Sequence, residues 1–129
     1  PGSVVEYEIE VVNQGSGAVD LDSLVITDRL SAALALIVDE LAPGSGPVRF
    51  EDGTGSQSSG LSLTFSGLSN AGDGLAFSSD GVSFTYTPIP GPDGSDTSVR
   101  ALRINLSGVM NPATSGETRF SIFYRTRVR

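Results

Sequence analysis

The feature that most constrains this chain is the strict two-residue alternation of its first segment, which returns in its last. Between Val4 and Val12, Val5, Tyr7, Ile9 and Val11 fall on one face and Glu6, Glu8 and Glu10 on the other. Successive side chains of an extended strand point to opposite sides, so such a segment buries one face and wets the other. Helical geometry would spread the same residues around the whole circumference. From Thr118 to Arg129 the pattern recurs, with Phe120, Ile122, Tyr124 and Val128 on one face and Arg119, Phe123, Arg125, Arg127 and Arg129 on the other. Two amphipathic strands therefore frame the chain, one glutamate-rich and one arginine-rich on its polar side.

Between these ends the sequence breaks into short pieces. A strand is expected over Val19 to Thr27, interrupted by Asp20, Asp22 and Ser23 in the manner of a bulge before the β-branched run at Val25-Ile26-Thr27. The Ala and Leu content of Ser31 to Leu41 favours helix, but its brevity and the following Pro43-Gly44 make it a short strand. Val48-Arg49-Phe50 is a further strand, Glu51 to Gly60 a Gly/Ser loop, and Leu61, Leu63 and Phe65 alternate with Ser62, Thr64 and Ser66. Leu75 to Ser78 and Val82 to Thr87 flank Ser79-Asp80-Gly81, where Asp-Gly between apolar runs is a hairpin signal. A loop over Pro88 to Thr97 precedes a strand carrying Leu102, Ile104 and Leu106, and Asn111-Pro112 through Gly116 forms the last turn. The 16 Gly and 7 Pro among 129 residues suit many short elements joined by turns. Seven or eight such strands without a convincing helix predict a single all-β domain over residues 1–129, an antiparallel β-sandwich of two sheets.

What the chain lacks narrows its chemistry. It has no Cys and no His, and all eight basic residues are Arg. Neither a disulfide framework nor a thiolate metal site can form, and the usual general base and its lysine substitute are both missing. With no group to activate a serine, an enzyme is not expected. A net charge of −7 argues against nucleic acid and anionic membrane as partners. No apolar run approaches the roughly 20 residues that span a bilayer; the longest is Ala32 to Val38. The chain has no Trp and three Tyr, and most of its aromatic residues fall on inward positions, which disfavours a sugar-stacking platform. Charge is also unevenly placed: residues 1–98 hold 14 acidic residues against Arg29 and Arg49, whereas residues 99–129 hold six Arg against Glu117. The chain begins at Pro1 without an initiator Met, as expected of a processed secreted protein or an excerpt of a longer one.

The opening Pro1-Gly2-Ser3-Val4-Val5-Glu6-Tyr7-Glu8-Ile9-Glu10-Val11-Val12-Asn13-Gln14-Gly15 resembles the immunoglobulin-like repeat of bacterial and archaeal surface proteins, the eleventh "domain of unknown function". The likeness continues through Val25-Ile26-Thr27-Asp28-Arg29-Leu30 and, more loosely, Gly116-Glu117-Thr118-Arg119-Phe120-Ser121-Ile122. Where that family places Pro and then Gly after the second strand, this chain has Ser31 and Ala32. The family also carries a strand ahead of the Pro-Gly turn that this sequence does not contain, so the resemblance implies an immunoglobulin-like antiparallel β-sandwich lacking its own first strand and exposing an open edge. It further implies a secreted, cell-surface location and a structural or adhesive role.

Two groups of residues are candidates for a site. Glu6, Glu8 and Glu10, with Arg119, Phe123, Arg125, Arg127 and Arg129, are candidates for a subunit interface. The strand after the Pro-Gly turn and the last strand are expected on different sheets, so their charges would meet in a neighbouring molecule and build a head-to-tail homopolymer. The bland alternative is a solvated outer face or a cross-strand ladder within one subunit. Phe123, apolar among arginines, is a candidate anchor. Asp20, Asp22, Asp93 and Asp96 lie in Gly-rich turns and offer oxygens to calcium, the one ion the sequence suggests, but no complete calcium loop is present and Asp is in any case a favoured turn residue. The expected role is a structural subunit of an extracellular filament or surface layer, with a monomeric adhesive or spacer module as the alternative.

Overall fold

The computed structural model describes residues 1–129 and contains eight strands. These are β1 (Val4–Asn13), β2 (Val25–Arg29), β3 (Leu34–Ile37), β4 (Val48–Asp52), β5 (Leu75–Ser78), β6 (Ser95–Asp96), β7 (Ala101–Asn105) and β8 (Thr118–Val128), with one 3₁₀ turn at Gly55–Gln57. Every strand pairing is antiparallel. The strands form a five-stranded sheet and a three-stranded sheet, the latter in the order β2-β7-β5. The fold is an all-β antiparallel sandwich.

β8 organises the larger sheet. One edge pairs along its length with β1, from Val4 opposite Arg127 to Asn13 opposite Thr118. Its other edge is shared: β4 covers Phe120 to Tyr124, β3 covers Thr126 to Val128, and β6 extends the sheet beyond β3. A strand flanked on both sides must bury its inner face completely. Phe120, Ile122, Tyr124 and Thr126 are all 0–1% exposed, and this is the physical content of the alternation read from the sequence. In the smaller sheet β7 is the central strand, and Leu102 and Ile104 are fully buried.

Two polar contacts fix how the sheets face each other. The Tyr124 hydroxyl on β8 donates to the Asp28 carboxylate on β2. The Tyr86 hydroxyl, beside β5, donates to Asp96 Oδ2 on β6 at 2.9 Å. β8 therefore lies over β2 and β6 over the β5 side. It follows that β1, next to β8, and β2 are edge strands on the same side of the sandwich. Fifteen buried residues form the core between the sheets.

Several expected elements are altered. Leu61 is buried and Leu63 and Phe65 pack on the core, but this extended segment makes only a single bridge, Ser62 with Ser107, instead of a strand. The Asp80-Gly81 turn forms, with Gly81 at φ 78°. Its hairpin reduces to one bridge between Phe77 and Tyr86, because Asp80 Oδ1 accepts the N–H groups of Val82 and Ser83, both at 2.8 Å, in place of a ladder. The second strand starts later than expected, at Val25, since Asp22 takes a left-handed turn at φ 54°. β6 falls inside the expected Pro88 to Thr97 loop, where no apolar alternation marks a strand.

Candidate functional site

The glutamate and arginine strands are adjacent members of one sheet. The expectation that they lie on different sheets and meet only between molecules is overturned by the β1–β8 register, which sets Glu6 opposite Arg125, Glu8 opposite Phe123 and Glu10 opposite Ser121. The pairing arises because both inner faces are apolar at the same period, so joining them side by side buries Tyr7 against Tyr124 and Ile9 against Ile122. The two tyrosine rings stack with centroids 5.1 Å apart.

On the outer face the charges are only loosely matched. Arg119 Nη1 lies 3.9 Å from Glu10 Oε2, while its Nη2 bonds Glu117. Ser121 Oγ donates to Glu8 Oε2 at 3.0 Å. Arg125, directly across from Glu6, instead donates to the Glu40 carbonyl at 3.3 Å. Arg127 donates to the Gly2 carbonyl at 2.9 Å, with its Nε 3.2 Å from Asp93 Oδ2, and Arg129 donates to the Ala32 carbonyl at 3.0 Å. Most of the arginines thus fasten the chain's own loops and termini to β8. Phe123 is not a free anchor, because the Arg49 guanidinium of β4 sits 4.0 Å from its ring centroid and Arg49 also pairs with Glu51 at 2.7 Å.

What stands out is the other edge of β1. No strand pairs with it, so alternate N–H and C=O groups along ten residues face away from the sheet. Tyr7, Ile9 and Val11 point inward but remain half-buried, whereas their neighbours on β8 are fully buried. Across from them Leu24 and Ile26 on the β2 side are also half-buried, and β2 likewise has no partner on its outer edge. The seam between the two edges is lined by the half-buried side chains of Tyr7, Ile9, Val11, Leu24 and Ile26, all packed against the core. Sequence reasoning missed the free edge of β2. Asp28, a polar residue alternating with Ile26 on an inward face, was the available signal.

The aspartates offered for calcium do not converge, and no group of three or more His, Cys, Asp or Glu side chains is arranged to hold a metal. Asp22 Oδ1 accepts the Gly108 N–H at 2.7 Å, and Asp20 accepts Ser23 Oγ at 2.8 Å through its backbone carbonyl. Asp93 Oδ1 accepts the hydroxyl and N–H of Ser95 at 2.7 and 3.0 Å, and these bonds hold its carboxyl below the usual range. Asp96 accepts from Tyr86, from the Ile89 N–H at 2.7 Å and from the Ser98 N–H at 2.7 Å. These carboxylates are turn-makers, and Asp93 and Asp96 border an open depression of about 490 Å³ that has one apolar lining residue.

Another polar cluster went unread in the sequence. Asp52 accepts the Ser58 and Ser59 hydroxyls, both at 2.5 Å, and the Ser59 N–H at 2.8 Å, pinning the 3₁₀ turn to the end of β4. Burial works against the charged form of Asp52, yet these bonds together hold its carboxyl below the ordinary value.

No protein-family model matches the chain, and neither a curated protein nor a solved structure matches it significantly. No helix is long and apolar enough to cross a membrane.

Proposed function

We propose that this domain is an immunoglobulin-like structural subunit of an extracellular filament or surface layer, completed by a strand from a neighbouring molecule that adds to the free edge of β1. The observation that carries the reading is the state of that edge: ten residues long, without a strand partner, and with inward residues left half-buried. Strand addition would satisfy the outward N–H and C=O groups and cover Tyr7, Ile9 and Val11 in one step. Pairing of the glutamate face with the β8 arginines of a second copy has no part in it, since those two strands are already neighbours within the sheet.

A second reading is a monomeric adhesive or spacer module of a larger surface protein. It is favoured by the same glutamates, because charge on an edge strand discourages pairing. Hydrogen exchange on purified native material, joined with electron microscopy, separates the two. Strand addition requires fibres or sheets in which the outward amides of β1 exchange slowly, and the same amides exchanging fast in the free domain. A protein that stays monomeric at every concentration and salt, or fibres in which those amides remain fast, refutes the proposal.

A further inference from the structure

We infer that the strand accepted by β1 alternates apolar residues with arginine or lysine, and that a second copy of β1 cannot supply it. The inference rests on the strand-accepting reading above and concerns the chemistry of the donor. A strand laid beside β1 meets two rows of side chains. The inner row is Tyr7, Ile9 and Val11, which asks for apolar residues at every second position. The outer row is Glu6, Glu8 and Glu10, spaced two residues apart on the rim of the sheet.

That outer row is short of positive charge. Of the three glutamates only Glu10 has an arginine within ion-pairing distance, at 3.9 Å, and that arginine is shared with Glu117. Arg125, Arg127 and Arg129 are turned to backbone carbonyls of the same chain. Directly opposed side chains on neighbouring strands lie close enough that opposite charges favour pairing and like charges oppose it. A donor with basic residues on its outer face therefore gains at each glutamate. Two copies of β1 cannot pair in this way, because any alignment that keeps both apolar rows inside sets glutamate against glutamate. The free edge of β2 is no substitute, having only Arg29 beside Val25 and Thr27 on its outer face. Main-chain hydrogen bonds along the unpaired edge supply the generic attraction, and the outer row selects the partner. The net charge of −7 adds long-range attraction toward a basic segment.

The test uses the full chain and synthetic peptides matched in length to β1, at physiological salt. One peptide alternates Val with Arg, one Val with Thr, one Val with Glu, and one has the Val/Arg composition in scrambled order. The Val/Arg peptide should bind about tenfold tighter than the Val/Thr peptide and protect the outward amides of β1. In an E6Q/E8Q/E10Q variant, shown by its melting curve to be folded, that preference should vanish while the Val/Thr peptide still protects the edge. Equal binding of the Val/Arg and Val/Thr peptides, with protection of β1 by both, overturns the basic donor and leaves strand acceptance standing. Equal binding of the scrambled peptide, or tight binding without protection of β1, overturns the inference as plain charge attraction. If no peptide protects β1 the inference falls, and slow exchange of β1 in native assemblies decides separately whether the strand-accepting reading survives.

Discussion

Replacing Tyr124 with phenylalanine removes one hydroxyl and leaves everything else about the ring in place. Tyr124 is 1% exposed, stacks on Tyr7, and donates to Asp28 across the sandwich, so the lost bond is one that ties β8 to β2. A hydrogen bond to a charged acceptor contributes about 1.5–3 kcal/mol. Asp28 is half-buried, so water partly replaces the donor and the lower end of that range applies. For a domain of this size that loss lowers Tm by about 6 °C. The pH dependence carries a second signature. Burial, and then the Asp28 carboxylate, push the Tyr124 hydroxyl far above its ordinary value. The unfolded chain ionises first, so this stability is fully present below a pH of about 10 and declines above it, by up to about 1.4 kcal/mol per pH unit. Urea denaturation of both proteins from neutral to alkaline pH measures both effects. The Y124F protein should be weaker at neutral pH and lose stability less steeply in alkali, where Tyr86, also raised by burial and by Asp96, still contributes. Equal midpoints at neutral pH would show that the inter-sheet bond carries no net stability, and alkaline slopes that coincide would show that the folded protein does not hold the Tyr124 hydroxyl above its ordinary value.

Two further substitutions probe the core and the loops. Thr126 is fully buried with no hydrogen-bond partner for its hydroxyl, so T126V, which keeps the β-branched shape, should stabilise the domain by about 1 kcal/mol; a lower melting temperature would mean the hydroxyl is satisfied in solution. D52A removes the acceptor for Ser58 and Ser59 and should cost about 2–3 kcal/mol at neutral pH. Since the folded-state carboxyl of Asp52 is held below its ordinary value, its contribution is present above the unfolded-state value of about 4 and fades as pH falls through the folded one. The gap between wild type and D52A in urea midpoint should accordingly narrow in acid, and a gap independent of pH would contradict the bonding described.

The strands most legible in the sequence are those whose one face is core and the other solvent. Tyr7, Ile9 and Val11 on β1, and Phe120, Ile122 and Tyr124 on β8, declare themselves through alternation. Legibility fails where polar side chains carry the structure. Ser95 and Asp96 form β6 without an apolar residue, and the Asp80 carboxylate takes over N–H groups that a hairpin ladder would have used. Leu61, Leu63 and Phe65 show the opposite failure: alternation reports an extended segment with one buried face, and says nothing of whether a neighbour's backbone lies within reach to make it a strand.

For the candidate site the division is sharper. The sequence by itself determined that β1 and β8 are half-buried strands with glutamates on one polar face and arginines on the other, because the two-residue period is a local property of extended backbone. It did not determine where those faces meet. Pairing Val4 with Arg127 and Asn13 with Thr118 joins opposite ends of the chain. Such a register is selected by the whole core, including the split of β8's far edge between β3 and β4. Only the tertiary structure could turn two complementary charged strands from partners across molecules into neighbours within one sheet, and leave the outer edge of β1 as the surface still unpaired.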